Sequence, residues 1–227
     1  MKPDGIKILV LSSGGKDSLY MIARLMRDPA WSIVSLITTV NERNGRVAMH
    51  GTSAELIQAQ ANAVGLPLQL VPLPEDCDNA TYEQRLASVL APWRDQGVAH
   101  VACGDLFLAD IRSWREAFFS RLGFDPVFPL WGEPTADMAR DLVERGFRAR
   151  LSCVDTQQLD RNFLGRELDA TLLAELPPSV DPCGENGEFH SFVYDGPNFS
   201  HPLRVKTGQT VVTHQRFAMI ELLADSG

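Results

Sequence analysis

Cysteine is scarce and scattered. The four thiols, Cys77, Cys103, Cys153 and Cys183, include no Cys-x-x-Cys pair. That argues against a metal or iron–sulfur site and fits buried or surface thiols in a reducing cytoplasm. Long apolar runs are missing as well. Residues 31–40 form an uncharged, apolar stretch only half as long as the roughly 20 residues a membrane helix requires. Positive charge is in deficit, with 21 Lys and Arg against 29 Asp and Glu and a formal charge of -8. A broad electropositive face for nucleic acid or anionic lipid is therefore not expected. A small phosphate pocket is still open to such a chain, because a few backbone N–H groups can bind an anion on an acidic protein. Glycine and proline, 17 and 14 residues, are too few for a collagen-like or low-complexity chain, and no internal repeat is visible. The opening Met1-Lys2-Pro3-Asp4-Gly5 runs into a short apolar segment that ends at a Ser/Gly cluster. It lacks the pattern of an export signal, so a cytoplasmic location is expected. What is present is 227 residues, 44% hydrophobic and 22% charged, enough for one large domain or two small ones.

The first half alternates strand-like and helix-like segments. Residues 6–11 (IKILVL) form a short aliphatic run that reads as a strand buried on both faces. Residues 16–27 follow with Leu19, Ile22, Ala23 and Met26 at helical spacing, stopped by Asp28-Pro29. The same logic predicts strands over 31–40, 68–73 and 98–103, and helices over 52–64, 81–93 and 110–122, with Pro92 ending the third helix early. Repeated units of this kind favour a parallel sheet with helices on both faces and ligands at the strands' C-terminal edge. Three prolines and three aromatics in 124–134 (FDPVFPLWGEP) mark a junction, placing a first domain at 1–130 and a smaller C-terminal α+β lobe at 131–227. In that lobe helices are expected over 135–145 and 165–176, and strands over 147–154, 189–194, 210–214 and 217–222.

The most informative string is Ser12-Ser13-Gly14-Gly15-Lys16-Asp17-Ser18, between the first strand and the first helix. A helix N-terminus carries unpaired N–H groups and the positive end of the dipole, which favour an anion. Gly14 and Gly15 let the backbone bend and approach phosphate oxygens closely. Ser13 and Ser18 supply hydroxyl donors and Lys16 a compact positive charge. Asp17 would repel a bare phosphate, so it points either to a bridging Mg²⁺ or to a cap. The string has neither the G-x-x-x-x-G-K-[ST] spacing nor G-x-G-x-x-G. It resembles the PP-loop of the ATP pyrophosphatases, and that resemblance implies that Ser12 to Ser18 hold the pyrophosphate end of ATP.

A second cluster, Asp181-Pro182-Cys183-Gly184-Glu185-Asn186-Gly187-Glu188-Phe189-His190, concentrates ionisable groups and glycines. Two glutamates beside a histidine can bind a metal, hold an amine or move protons, and equally can belong to a solvated turn. Taken with the loop, Gly104-Asp105 and Pro129-Leu130-Trp131, the cluster resembles the diphthine–ammonia ligase family of PP-loop proteins over most of the chain. The resemblance implies an adenine-nucleotide alpha hydrolase-like (HUP-type) domain followed by a substrate lobe. It also implies that a carboxylate is activated with ATP to an acyl-adenylate, from which ammonia displaces AMP. In the family the second motif usually reads Glu-Gly-Gly-Glu, an aromatic, Glu, Thr. Here Asn186 replaces a glycine, and His190 and Ser191 replace Glu and Thr, a form similar to that of bacterial relatives. The resemblance therefore carries the chemistry and leaves the acceptor, small metabolite or protein-borne, unassigned.

Individual residues are expected to divide the work according to their type and position, with the resemblance adding to the case for Asp105. Lys16 and Asp17 serve catalysis, with Asp17 the metal ligand for Mg²⁺. Gly104 and Asp105 lie beside the α-phosphate or Mg²⁺, unless Asp105 only caps the next helix. Arg112 neutralises a phosphate or the acceptor carboxylate, unless it forms a surface ion pair. Glu185 and Glu188 bind acceptor or ammonium, and His190 carries a proton. His50 is a lesser candidate, Trp114 and Trp131 are read as packing residues, and adenine is expected near residues 36–40. No glutaminase-like nucleophile is evident, so free ammonia or an external donor is expected. A homo-oligomer is possible. The competing readings are a PP-loop tRNA sulfur-transfer enzyme, which usually brings cysteine pairs and basic surfaces, and a non-catalytic adenine-nucleotide sensor.

Overall fold

The computed structural model describes residues 5–225. Met1 to Asp4, read above for an export signal, and residues 226–227 lie outside it. Five parallel strands, β1 (Ile6–Leu11), β2 (Trp31–Asn41), β3 (Leu68–Leu73), β4 (His100–Ala102) and β5 (Asp125–Val127), form one sheet in the order β3-β2-β1-β4-β5. The strand order reverses at β1. The crevice between the C-terminal ends of β1 and β4 is therefore the topological switch point where open α/β sheets bind ligands.

The side-chain alternation of β1 explains why both faces are covered. Ile8 and Val10 pack with Leu19, Met21, Ile22 and Leu25 of α1 (Lys16–Arg27). Leu9 points the other way, to Leu86 and Leu90 of α3 (Asn79–Asp95) and to Phe118 and Phe119 of α4 (Ala109–Arg121). α2 (Ala54–Val64) starts at Ser53, whose hydroxyl accepts from the Leu56 N–H, and ends at Gly65 in the left-handed region, φ 78°.

The C-terminal lobe holds α5 (Thr135–Glu144), β6 (Arg148–Asp155), α6 (Ala170–Glu175), β7 (Phe189–Asp195), β8 (Val205–Thr213) and β9 (Phe217–Ala224). Its strands form an antiparallel sheet in the order β7-β6-β9-β8. The lobes share a core: Phe147, Leu151, Val154, Phe189 and Val193 belong to the same buried cluster as Ile8, Val10 and α1. The chain is thus a HUP-like parallel α/β unit with an antiparallel α+β lobe packed on its α1 side.

Three expectations for local structure change. β5 stands inside the segment read as a junction. It carries Pro126, tolerated because this short strand pairs on one side only. α3 runs through Pro92 instead of stopping, with the proline inside the final turn. Only residues 170–175 of the expected helix over 165–176 are helical. Gly165 has φ 78°, and the backbone at 165–168 bonds to Leu151 and Ala149 of β6, which uses the groups a helix would need.

Candidate active site

The turn between β1 and α1 is shaped by steric demand from both lobes. Gly14 has φ 78°, and a Cβ there would lie 2.5 Å from Ile57 Cδ1. Gly15 has an ordinary φ, but its Cβ would lie 2.9 Å from His50 Cε1 and 3.1 Å from the Ser191 carbonyl. The Gly14 carbonyl accepts from Val193 N at 3.1 Å and from Gln60 Nε2 at 3.0 Å. The same Gln60 Nε2 donates to the Val193 carbonyl at 2.6 Å. Strand β7 is thereby bonded directly to the turn.

Around the turn, serine hydroxyls accept from the backbone. Ser12 takes the Gly14 N–H at 3.3 Å, Ser13 the Gly15 N–H at 3.3 Å, Ser18 the Ser13 N–H at 3.1 Å and Ser191 the Lys16 N–H at 3.2 Å. These bonds are long for N–H···O contacts, so a phosphate oxygen could replace them at little cost. Lys16 is almost fully buried, with Nζ 2.8 Å from Asp17 Oδ2 and 5.5 Å from the centre of the Phe189 ring. Burial disfavours its ammonium, but Asp17, Cys183 and Glu185 outweigh burial and hold its pKa above the ordinary lysine value. The other Asp17 oxygen, Oδ1, is buried without a hydrogen-bond partner.

These groups open onto a cavity of about 360 Å³. Leu11, Ile37, Thr39 and Val47 line it beside β1 and β2, and Ser12, Ser13, Lys16, Asp17 and Ser18 form its floor. Gly104, Asp105, Tyr82 and Arg115 lie on the β4 side, and Gly184, Glu185, Gly187, Phe189, His190 and Ser191 come from the C-terminal lobe. Segments some 170 positions apart thus meet across one space. His50 lines it too. Its Nδ1 is 3.1 Å from the Ser191 carbonyl, which can only accept, so Nδ1 carries the proton and Nε2 keeps its lone pair. The His50 and His190 ring centres are 4.7 Å apart. Burial, with the nearby Lys16 charge, pushes His50 down to about 4 against the pull of the Ser191 bond. Burial, His50 and Lys16 push His190 down to about 3, so both rings are neutral at pH 7. Glu185 is pushed up to about 8, first by burial and then by the Asp17 carboxylate, with Lys16 opposing.

Four candidates do not line the cavity: Gly14 and Gly15, which shape the turn, and Arg112 and Glu188. Arg112 lies over Trp131 and Phe128, 4.5 and 4.8 Å from the ring centres, and its Nε donates to Glu116 at 2.8 Å. The arginine that does face the cavity is Arg115, three residues on, with Nε 2.7 Å from Asp105 Oδ2. That pair is close but poorly aligned, since neither atom has a properly directed hydrogen bond. Glu188 is 2% exposed, and its carboxylate accepts from Asp181 N at 2.8 Å, Asn186 N at 2.9 Å and Asn186 Nδ2 at 3.1 Å. It holds its own loop. Trp114 stacks on Phe118 and Trp131 packs near Phe128, so both are packing residues. Arg115, Tyr82 and Gln60 had no sequence signal beyond their neighbours, and Ser191 had only its place in the second motif, where it replaces Thr.

The fold and this site define a HUP-like α/β protein whose glycine turn and C-terminal lobe share one cavity. Residues 6–126 match the family model described as the diphthamide synthase N-terminal domain, and residues 134–222 the one described as its C-terminal domain. The chain belongs to the diphthamide synthase family. It is similar to proteins named diphthine--ammonia ligase. That of Rattus norvegicus is 26% identical over 246 residues, covering 98% of this chain and 91% of its own. That of Bos taurus is 24% identical over 233 residues, 92% of this chain and 86% of its own. That of Schizosaccharomyces pombe is 31% identical over 118 residues, half of this chain and 19% of its own. Among the described residues no helix is long and apolar enough to cross a membrane.

Proposed function

We propose that this protein is an ATP-dependent, AMP-forming ligase of the diphthine–ammonia ligase kind, which adenylates a carboxylate and converts it to an amide with ammonia. The observation that carries the reading is the meeting of the Ser12 to Ser18 turn with Glu185 and His190 across one cavity. In this proposal the first lobe, to about residue 130, binds nucleotide and the remainder faces the acceptor.

ATP lies with its pyrophosphate end on the serine-lined turn, beside the α1 N-terminus and Lys16, and with adenosine toward Leu11, Ile37, Thr39 and Val47. Asp17 fits a magnesium ion. Its Oδ1 is buried without a partner, and among the described residues no cluster of three ligands would hold a cation without help from the substrate. Magnesium commonly binds in that way, through one or two carboxylates plus phosphate oxygens, and there it would offset charge on the leaving pyrophosphate. An oxygen of the acceptor carboxylate attacks the α-phosphorus while the bond to the α–β bridging oxygen breaks, and Lys16 moderates the repulsion between the anions. Ammonia then attacks the acyl carbon, and the acyl–oxygen bond breaks to release AMP. Ammonium must first lose a proton. Glu185, pushed up to about 8, is a stronger base than an ordinary carboxylate and its ionised fraction can accept that proton near neutral pH, while the neutral His190 offers a hydrogen-bonding ring nitrogen in the same cavity.

The test is to incubate the protein with ATP, MgCl₂, NH₄Cl and a panel of carboxylic acids and to measure AMP, pyrophosphate and amide. Equal amounts of the three are expected. Asp17→Asn is expected to cut AMP formation about a hundredfold or more while the circular dichroism spectrum stays unchanged. Release of ADP and phosphate, or tight ATP binding that no acid turns into AMP release, would overturn the reading.

A further inference from the structure

One helix face runs from the core toward the cavity and ends in apolar side chains that are partly exposed. At about 100° per residue, Leu108, Ile111, Arg115, Phe118, Phe119 and Leu122 all fall within about 60° of the Arg115 direction on α4 or its flanks. Phe118 and Phe119 are buried against the sheet, and Arg115 reaches the cavity. Leu108 and Ile111, seven and four residues before Arg115, keep the same register but are 37% and 42% exposed. Phe107, next to them in the chain, is 42% exposed. The stripe therefore passes from core to cavity to an apolar rim directly after Gly104-Asp105.

Resting on the ligase reading above, we propose that this rim is the acceptor site and that the acceptor is a small carboxylic acid with an apolar body. Arg115 takes the carboxylate, and Leu108 and Ile111 take the hydrocarbon. Two observations commit to that occupant. A cavity of about 360 Å³ is at the small end of ligand pockets, so a bound nucleotide leaves the acceptor's body at the mouth. Arg115 is the arginine lining the cavity, and its contact with Asp105 is too poorly aligned to occupy its planar fork, which leaves N–H donors for a second carboxylate. Asp105 keeps the guanidinium turned inward, beside Tyr82, which also lines the cavity.

The experiment measures AMP release with ATP, MgCl₂ and NH₄Cl against hexanoate, phenylacetate and 4-phenylbutyrate on one side, and succinate, malonate and glutamate on the other. The apolar acids are expected to show a KM at least about tenfold lower. Ile111→Ser and Leu108→Ser, checked for an unchanged melting profile, should raise that KM about tenfold and leave the KM for ATP unchanged. Arg115→Lys should do the same for every acid. Polar acids serving as well as apolar ones, or both serine variants behaving as wild type, would overturn the acceptor class and leave the ligase reading standing. AMP release that needs a protein-borne carboxylate would overturn the small-acid proposal alone. Silence from every acid sinks both.

Discussion

The two segments that meet in the cavity are built by opposite means. The turn at 12–18 depends on missing side chains: Gly14 and Gly15 lie where a Cβ would strike α2, His50 or β7, and the polar groups beside them face the cavity. The segment at 181–190 depends on its anions. Asp181 Oδ1 accepts from Cys183 N at 2.8 Å, and Glu188 accepts from three donors of its own loop. Two glutamates three positions apart have therefore separated in role, Glu188 tying backbone and Glu185 facing Lys16 and Asp17 across the cavity. A motif rich in carboxylates is thus not a set of equivalent catalytic groups. Some of its charge is consumed in holding the rest.

That contrast can be broken most severely at Gly14. Gly14→Ala places a methyl at positive φ against a buried Ile57, and a stability loss of about 2–4 kcal/mol in urea unfolding is expected, with loss of ATP binding by calorimetry. Wild-type stability and affinity would show that the turn tolerates a side chain. Glu188→Gln comes next. Its NH₂ must face an N–H donor, so about 2 kcal/mol should be lost and adenylation and amidation should fall together. Glu185→Gln should instead stabilise the fold at pH 7, because a neutral amide escapes the cost of burying that carboxyl beside Asp17, and should impair amide formation more than AMP formation. If the two variants prove interchangeable, the division of labour is wrong.

Acidification gives a smaller, graded effect. His50 and His190 are depressed from 6.5 to about 4 and about 3, so between those values the unfolded chain binds more protons than the folded one. The pair costs nothing above pH 6.5, and stability falls as pH drops from there toward 4 and 3, where the loss is complete. Glu185 acts in the opposite sense: raised from 4.5 to about 8, it lowers stability as pH rises through that interval. Urea midpoints from pH 7 to 4 should therefore fall less steeply in His190→Asn than in wild type, measured in a Glu185→Gln background to remove the opposing slope. Parallel profiles would count against a buried neutral histidine pair. The smallest effect is expected at Arg112. Arg112→Ala should leave AMP formation within about twofold and cost about 0.5–1 kcal/mol through its lost contact with Trp131. A tenfold activity loss would return Arg112 to the site.

Much of the first lobe was legible because its signals are local. The aliphatic run at Ile6–Leu11, the helical spacing of Leu19, Ile22 and Ala23, and the serine–glycine string between them need only neighbouring residues to be read. β5 was hidden because three residues with a central proline have no periodicity, and pairing with β4 alone makes them a strand. The helix expected from Gly165 was shortened by bonds to β6 that no propensity anticipates. Arg112 was expected where Arg115 lines the cavity, and the two lie only about 60° apart around α4, too close for periodicity to separate. Both are arginines on one helix, and only the packing of Phe118 and Phe119 on the sheet decides which guanidinium turns to the cavity.

By itself, the sequence determined the β–α alternation, the glycine turn at the first helix and the concentration of ionisable groups near residue 185. Each follows from chemistry between residues close in the chain. Tertiary structure alone decided that Ser191 and Val193 would bond to that turn and that His50 would lie beside His190. The reason is physical. Those contacts depend on how β7 packs against α1 and α2, and burial against distant segments sets both the partners and the proton affinities of the groups it encloses.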